Sequence, residues 1–468
     1  MIKIRQLVLK NIGPYEDEIF DFTIKADSPD IHIFTGSNGT GKTTILHALA
    51  STFDFFEKDH KEHLSNNFHK RFQLFQEDEK EMAKSYTHTI IVKEGKENKV
   101  VDKIVCYGCK DCGNIHQAYD KTSANNSIIT KNGKSYKPEP NFMDLYNYKP
   151  AILSKDLTNK KFKFAAFAYS GYRFIKTENI ILDDSQKFNP LHLALEFVKG
   201  KDTAFRLSNW IVSRYSKAAI EETLGNIELA KRNREALNIF INAINDLTDN
   251  QYSIKIETNP WQVGINYCGK TLEFDVLPDG LRSILSWLGD LLMRLDEIPW
   301  DDKSIPITHQ NIVLFLDEIE VHLHPTWQYK ILPLMKNLFP NAQIFITTHS
   351  PFIINSIDDA KVYVLKNTNC KTHLENTLLS NTGNSYNYVY ENILFTKNLF
   401  SITTTNDIER FNKIDSEIVV KNFENEHEFK DIVNRLLSEG EEVFAIINSK
   451  LQRLKRVIGK DYLNGENN

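Results

Sequence analysis

Eight residues near the start of the chain, Gly36–Thr43, carry the clearest chemical signal in the sequence. They read Gly-Ser-Asn-Gly-Thr-Gly-Lys-Thr and fit the pattern G-x-x-x-x-G-K-[ST] of a phosphate loop. Glycines let backbone N–H groups surround a β-phosphate, Lys42 neutralises the β- and γ-phosphates, and the Thr43 hydroxyl suits Mg²⁺. The loop therefore predicts binding of ATP with Mg²⁺. The expected nucleotide contacts are Gly36, Asn38, Gly39, Gly41, Lys42, Thr43 and Thr44.

A second chemical group stands far along the chain, where an apolar strand runs into two acids. Residues 312–316 precede Asp317 and Glu318. Such a strand end places one carboxylate to hold Mg²⁺ and the next to orient or deprotonate an attacking water. We therefore predict Asp317 as a metal ligand and Glu318 as a catalytic residue. His349, at the end of a later apolar strand, is predicted to reach the γ-phosphate and sense its loss.

A cluster of sulfur and imidazole groups has the spacing C-x2-C-x2-C with a histidine four residues on. Its members are Cys106, Cys109, Cys112 and His116. Thiolates at this spacing suit Zn²⁺, with His116 or a distant residue as the fourth ligand. Zinc sites usually show two Cys/His pairs, so reduced cysteines on a hairpin are the alternative. His322 and His324, which follow the two acids, could suggest a metal but are interpreted as shaping the turn and a dimer contact after the acidic strand.

These groups need elements that hold them in place. Residues 30–35 read as a buried strand and residues 44–50 as a helix, an arrangement that aims a helix N-terminus at an anion. Apolar residues between 191 and 250, from Leu191 onwards, recur at helical spacing and predict a helical insertion. The charged stretch from 405 to 459 predicts a hairpin of helices with a break near 438–440.

Length and composition limit the class of protein. The chain has 468 residues, of which 41% are hydrophobic and 25% charged, as in soluble globular proteins with several structural units. It contains no apolar run of about 18 residues, so no membrane span or membrane partner is expected. The chain has five cysteines and a predicted nucleotide site, and together these favour a location in the reducing cytoplasm. The net charge of −5 disfavours a protein coated in nucleic acid but allows a local basic patch.

Together the phosphate loop, the acidic strand end and His349 resemble the ABC-type ATPase heads shared by SMC, RecF and overcoming-lysogenization-defect proteins. The long gap between loop and acids is the organisation of that family. Residues 316–325 and 347–351 resemble the overcoming-lysogenization-defect branch in particular. The resemblance implies an α/β fold: an ABC-type ATPase head, made of a mixed sheet plus an α/β lobe, with a short helical insertion and a helical C-terminal tail.

The same resemblance implies a signature loop that caps the γ-phosphate of a partner subunit's nucleotide. Residues 277–282 lie where that loop belongs, so Asp279 and Gly280 are predicted to contact nucleotide. The usual serine at the second position is Pro278 here. Backbone N–H groups at Gly280 and the helix behind it remain available, so slow hydrolysis, or nucleotide used mainly to join subunits, is expected. The equivalent of the glutamine loop is placed at 169–173.

We divide the chain into four parts. They are an N-terminal ATPase lobe with the phosphate loop and an inserted hairpin bearing the cysteines (1–185), a helical insertion (186–252), a C-terminal ATPase lobe (253–400) and a helical tail (401–468). The insertion has no sustained heptad pattern, which excludes a long coiled-coil arm. Residues 438–442 superficially resemble the opening of a TOPRIM nuclease, but too little chain follows, so no nuclease is expected in cis.

Without arms or nuclease, the chain looks most like the PtuA family of ATPases in Septu and retron anti-phage systems. That resemblance implies a homo-oligomer, as head-to-head dimers or higher, that holds an HNH nuclease of the PtuB type under nucleotide control. The alternatives are a RecF-like repair ATPase that binds DNA directly, or the ATPase of a defence pair with a TOPRIM or toxin effector. Basic residues available for DNA, or simply for solvated helix faces, are Lys217, Lys231, Arg232, Arg234, Lys450, Arg453, Lys455 and Arg456.

Overall fold

The structure is a computed structural model with two compact units, Met1–Val389 and Tyr390–Asn468. It describes residues 2–25, 28–50, 53, 83–93, 96–107, 128–129, 135–136, 157, 160–171, 189–195, 197, 203–259, 261–394, 400–419 and 426–459. Among these, no helix is long and apolar enough to span a bilayer.

The described residues form strands and helices in the following order. The strands are β1 (Ile2–Ile12), β2 (Tyr15–Asp21), β3 (Ile31–Gly36), β4 (Ala83–Lys93), β5 (Lys96–Tyr107), β6 (Ile128–Ile129), β7 (Ser135–Tyr136), β8 (Ala165–Tyr169), β9 (Ser253–Thr258), β10 (Trp261–Tyr267), β11 (Lys270–Leu272), β12 (Ile312–Leu316), β13 (Gln343–Thr347), β14 (Lys361–Thr368) and β15 (Lys371–Leu379). The helices are α1 (Lys42–Ala50), α2 (Thr203–Thr223), α3 (Ile227–Thr248), α4 (Asp279–Glu297), α5 (Pro325–Leu338), α6 (Pro351–Ile354), α7 (Tyr386–Asn392), α8 (Ile402–Val419), α9 (Glu426–Ser438) and α10 (Glu441–Ile458).

A six-stranded mixed sheet lies at the centre of the first unit, in the order β15-β14-β3-β13-β12-β8. All neighbours pair in parallel except β15, which pairs antiparallel to β14 at the edge. Every residue of β3, β12 and β13 is buried, as expected for central parallel strands covered on both faces. The carboxyl ends of these three strands share one edge of the sheet, which is where open α/β sheets bind their ligands.

An antiparallel sheet, β2-β1-β4-β5, is joined to the mixed sheet through β1. The side-chain amide of Gln343, at the start of β13, makes two hydrogen bonds to the backbone of Ile4. Its Nε2 donates to the carbonyl of Ile4 at 2.9 Å, and its Oε1 accepts the Ile4 N–H at 2.7 Å. A buried salt bridge of 2.7 Å between Lys3 and Asp30 lies beside this pair. These polar contacts hold β1, and the turn that follows it, against the sheet that carries the site.

The helical insertion consists of α2 and α3, which pack against each other and against α4. Leu237, Phe240 and Ile244 of α3 are buried, so the helical spacing of these residues is confirmed. The spacing that begins at Leu191 does not make a helix, because 190–195 form turns. Leu193 has a φ of +55°, a left-handed backbone that a right-handed helix cannot contain.

In the described part of the second unit, the helices α8, α9 and α10 surround a core of their own. Phe411, Phe429 and Leu436 are fully buried in that core. The predicted helical tail is confirmed, and so is its break, where Gly440 adopts a φ of +130° between α9 and α10. The helices α9 and α10 on either side of the break pack against each other, as the predicted hairpin requires, and α8 packs against both of them.

Candidate functional site

The phosphate loop joins β3 to α1 and has the backbone that its glycines allow. Gly36, Gly39 and Gly41 have φ angles of +148°, +82° and +78°, which residues with a side chain rarely adopt. Two of the three also have close neighbours: a Cβ on Gly36 would lie 2.3 Å from the carbonyl oxygen of Leu365, and a Cβ on Gly41 would lie 2.7 Å from Pro14. Gly36 and Gly41 are therefore required by packing as well as by conformation.

The turn between β1 and β2 supports the loop from outside. Tyr15 is buried, and its hydroxyl donates to the carbonyl of Thr40 at 2.8 Å. Burial, with a smaller contribution from Glu18, raises the pKa of Tyr15 well above its ordinary value, so the phenol stays protonated as a donor. Sequence reasoning missed Tyr15, since nothing local connects it with a loop 25 residues later.

Lys42 places a cation inside the loop. Its Nζ donates to the carbonyls of Gly36 and Ser37, both at 3.0 Å. Burial lowers the pKa of Lys42 to about 8, and the carboxylates of Asp317, Glu318 and Glu320 partly oppose that shift. The ammonium therefore remains mainly charged at neutral pH, as a group that neutralises phosphate must.

Thr43 and Asp317 meet across the sheet edge, although 274 residues separate them. The hydroxyl of Thr43 lies 2.9 Å and 3.0 Å from the two carboxylate oxygens of Asp317. A hydroxyl and a carboxylate side by side are hard oxygen donors of the kind that Mg²⁺ prefers, so these residues fit the ion that the sequence predicts. The backbone of Asp317 is fixed by the neighbouring strand β8, because its N–H donates to the carbonyl of Tyr169 at 2.9 Å.

Glu318 follows Asp317 in a strained backbone conformation. Its φ is +46°, and a left-handed glutamate persists only where its surroundings hold it. Its N–H donates to the hydroxyl of Thr347 at 2.8 Å. Gly171 packs against the side chain so closely that a Cβ there would lie 2.8 Å from Oε2 of Glu318. Gly171 belongs to the segment 169–173 that the sequence predicts as the glutamine-loop equivalent, and it lies against the predicted catalytic carboxylate. Residues 172 and 173 lie outside the described residues.

His349 stands just beyond the end of β13, and its backbone N–H donates to Oε1 of Glu320 at 2.7 Å. Burial lowers the pKa of the His349 imidazole to about 4, and the nearby charge of Lys42 adds to the effect. The imidazole is therefore neutral at physiological pH. Burial also raises the pKa of the Glu320 carboxyl above its ordinary value, against the opposing hydrogen bond from His349.

The predicted signature loop forms the N-terminus of α4. Pro278 occupies the N-cap position and makes no side-chain cap, as its lack of a hydroxyl requires. Gly280 packs against the turn after β12: a Cβ on it would lie 2.6 Å from the carbonyl oxygen of His322 and 3.0 Å from the ring of Trp327. Arg282 pairs with Asp279 at 3.3 Å. The signature loop and the turn that follows the acids therefore form one surface.

Two further features of the sequence involve histidine or cysteine, namely the turn after the acids and the cysteine cluster. His324 caps α5, with its Nδ1 accepting the N–H of Thr326 at 3.3 Å, which agrees with a turn-shaping role. The cysteine cluster lies outside the described residues, apart from the backbone of Cys106 in β5, so zinc binding stays a prediction. Within the described ranges, no group of three or more His, Cys, Asp or Glu residues could hold a metal ion.

Comparison with known families identifies the class of protein. A family model described as an AAA domain matches residues 6–258, more than half of the chain, so the chain belongs to this family. A second model, described as an AAA domain, putative AbiEii toxin, Type IV TA system, matches residues 265–355. The first match contains the phosphate loop, and the second contains Asp317, Glu318 and His349.

Particular relatives narrow the class further. The chain is 25% identical over 406 residues to the Retron Ec83 probable ATPase of Escherichia coli, covering 78% of this chain and 72% of the relative. It is 22% identical over 381 residues to the Septu protein PtuA of Bacillus thuringiensis, covering 78% of each. The predicted resemblance is therefore confirmed: the chain is an ATPase of the AAA and ABC type, related to PtuA and retron ATPases.

Among solved structures, the Smc head bound to the C-winged helix domain of ScpA aligns with 80% of this chain and 97% of its own, at a TM-score of 0.43 and 12% identity. The SMC head domain of Thermotoga maritima aligns at a TM-score of 0.37 and 13% identity. The family matches, together with the strand order of the mixed sheet, confirm the predicted α/β ABC-type head.

Proposed function

We propose that this chain binds and hydrolyses ATP with Mg²⁺, assembles as a homo-oligomer and regulates a partner nuclease in bacterial anti-phage defence. The contact between Thr43 and Asp317 carries the first part of the proposal, because it joins the phosphate loop to the acidic strand end in one site. The relationship to PtuA and to retron ATPases supports the second part. A cytoplasmic location is part of the same proposal.

The roles of the residues follow from their positions. The phosphate loop and Lys42 would hold and neutralise the phosphates, and Thr43 with Asp317 would hold Mg²⁺, which when bound supplies further charge neutralisation at the β- and γ-phosphates. Glu318 would accept hydrogen bonds from the attacking water and orient it. The neutral imidazole of His349 would donate a hydrogen bond to the γ-phosphate, and its position would then depend on whether that group is present.

Oligomerisation is proposed from the signature loop. A helix N-terminus without a side-chain cap offers free N–H groups and partial positive charge to an anion. In ABC-type heads that anion is the γ-phosphate on the opposite subunit, so we propose that Asp279 and Gly280 face a second copy's nucleotide. The absence of a serine hydroxyl at Pro278 favours slow turnover, which suits a nucleotide switch better than a motor.

The proposed partner is an HNH nuclease of the PtuB type. Direct DNA binding is less well supported, because two of the available basic residues are engaged within the chain. Arg234 pairs with Glu222 at 2.6 Å, and Arg453 pairs with Asp415. Ion pairs of this kind reduce the charge that these helices offer to a phosphate backbone.

Co-purification with the product of the neighbouring gene tests the proposal. We expect an HNH protein to co-purify with the tagged chain and its cleavage of plasmid DNA to depend on nucleotide. Lys42→Ala is the control, since it should keep the complex and remove the dependence on nucleotide. If the neighbouring gene encodes a TOPRIM protein or a toxin, that protein and not an HNH nuclease is the partner effector. DNA binding by the chain alone, falling steeply with salt, would favour the RecF-like alternative.

A further inference from the structure

Thr347, the last residue of β13, connects the two acids that end β12. Its side chain is fully buried, and its hydroxyl donates to Oδ1 of Asp317 at 2.6 Å. The hydroxyl oxygen of Thr347 also accepts the backbone N–H of Glu318 at 2.8 Å. The parallel register between the strands, in which Leu316 pairs with Ile346, brings these groups together.

A hydroxyl is suited to this double contact because it has one donor and two lone pairs. Thr347 uses its donor on Asp317, the predicted metal ligand, and its acceptor on Glu318, the predicted catalytic residue. Oδ1 of Asp317 accepts the Thr347 hydroxyl on one side, while the Thr43 hydroxyl lies within 3.0 Å of both carboxylate oxygens on the other, and these contacts together fix the orientation of the carboxylate plane. The bond to Glu318 holds the amide of a residue whose φ is +46°, a conformation that needs such support.

We propose that Thr347 is a positioning residue that sets Asp317 towards the metal and Glu318 towards the attacking water through a single hydroxyl. The catalytic half of this inference rests on the proposed ATPase function. The part of the inference that concerns the geometry of Asp317 and Glu318 does not rest on that function, since the two hydrogen bonds are present whether or not ATP is hydrolysed. Thr347 would act entirely through its two neighbours.

Three variants in the full-length chain test the inference. Thr347→Val keeps the branched shape and removes the hydroxyl, whereas Thr347→Ser keeps the hydroxyl. Thr35→Val is the matched control: Thr35 is also fully buried, on the adjacent strand β3, and its hydroxyl has no hydrogen-bond partner among the described residues. Thermal unfolding of each variant establishes that it is folded before any rate is compared.

We expect Thr347→Val to lower kcat for ATP hydrolysis by about 10–100-fold, the usual effect of removing a group that orients a metal ligand. ATP affinity measured without Mg²⁺ should stay within about twofold, because the phosphate loop is untouched. Thr347→Ser should recover most of the rate, and Thr35→Val should match the wild type. Hydrogen exchange of the Glu318 amide should become faster in Thr347→Val only.

The two readouts separate the two proposals. A wild-type chain that hydrolyses no ATP, with or without a partner, overturns the ATPase proposal, while faster exchange at Glu318 in Thr347→Val still supports the geometric role. Unchanged exchange at Glu318 overturns the role of Thr347 whatever the rates are. A rate loss in Thr347→Ser equal to that in Thr347→Val also overturns it, because the hydroxyl would then be irrelevant.

Discussion

The backbone N–H of His349 donates to the side-chain Oε1 of Glu320, with 2.7 Å between the two atoms. This bond connects the residue that follows β13 with the turn that follows β12. The two strands are neighbours in the sheet, so Glu320 fixes the point from which the His349 side chain leaves the backbone. The other oxygen of the carboxyl, Oε2, is buried and has no hydrogen-bond partner among the described residues.

Replacing Glu320 therefore has an effect that depends on which group replaces it. Glu320→Ala leaves the N–H of His349 without its acceptor, and an unsatisfied buried N–H costs about 1–3 kcal/mol in the free energy of unfolding. Glu320→Gln keeps an oxygen in the accepting position and should stay within about 1 kcal/mol of the wild type. Urea unfolding measures both, and Glu257→Ala, an exposed acid on β9, is the control. Equal losses in the Gln and Ala variants would show that charge matters and not the acceptor.

The protonation of His349 gives a prediction about pH. Burial, aided by Lys42, lowers its pKa to about 4 in the folded chain, against about 6.5 when unfolded. Between these values the unfolded chain binds more protons, so the free energy of unfolding falls as the pH falls from about 6.5 towards 4. Histidine NMR should show no titration of His349 between pH 5.5 and 8.

Two variants complete this test. Lys42→Met should raise the pKa of His349 only partly, since burial is the larger cause of its shift. His349→Gln should weaken the dependence of unfolding on pH in the same range. An ordinary imidazole pKa in the wild type would contradict the prediction and the burial from which it follows.

The separate site elements could be predicted because each is encoded within one short segment. The phosphate loop needs glycines, a lysine and a threonine at fixed offsets, and the acidic strand end needs an apolar run followed by two acids. Thr347 could not be assigned a role in this way. Its partners lie 30 and 29 residues away, and their meeting depends on the register of β12 with β13, which a local pattern does not specify. The signal in the sequence is a threonine that directly follows the apolar residues 344–346.

At residues 190–195 the sequence pattern predicts a helix that the structure does not contain, because these residues form turns. Leu191 and its apolar neighbours have the spacing of a helix, yet Leu193 and Phe197 both have left-handed backbones. Leu191, Leu195 and Phe197 are buried, and the apolar spacing reflects that burial. The carbonyls of Pro190 and His192 accept hydrogen bonds from Arg294 on α4. A long-range partner of this kind overrides local propensity, and the sequence pattern does not include it.

Lys42 should be essential for nucleotide binding without being essential for folding. Lys42→Met keeps the apolar stem and removes the charge that neutralises phosphate, so tight ATP binding should be lost in calorimetry. The free energy of unfolding should change by less than about 1 kcal/mol, because the lost hydrogen bonds and the relieved burial of a charge offset each other. Retained tight binding in a folded variant would refute the assignment of the phosphate loop.

The core of the second unit predicts a contrast between two phenylalanines. Phe411 is fully buried among α8, α9 and α10, whereas Phe444 of α10 is 44% exposed. Phe411→Ala should cost about 3–5 kcal/mol and accelerate hydrogen exchange along all three helices, while Phe444→Ala should do neither. Similar exchange in the two variants would mean that these helices do not share one core.

Glu318 is the predicted catalytic residue, and its amide variant tests that role most directly. Glu318→Gln keeps the size of the side chain beside Gly171, where space is tight, but removes the charge and the basic oxygen that orient an attacking water. We expect hydrolysis to fall by about 10²–10⁴-fold, the range usual for a lost general base, while ATP and Mg²⁺ still bind. Chromatography of the nucleotide released from denatured protein should then show ATP where the wild type yields ADP. Turnover at the wild-type rate would show that another group activates the water, because the isosteric variant leaves Thr43, Asp317 and the phosphate loop unchanged.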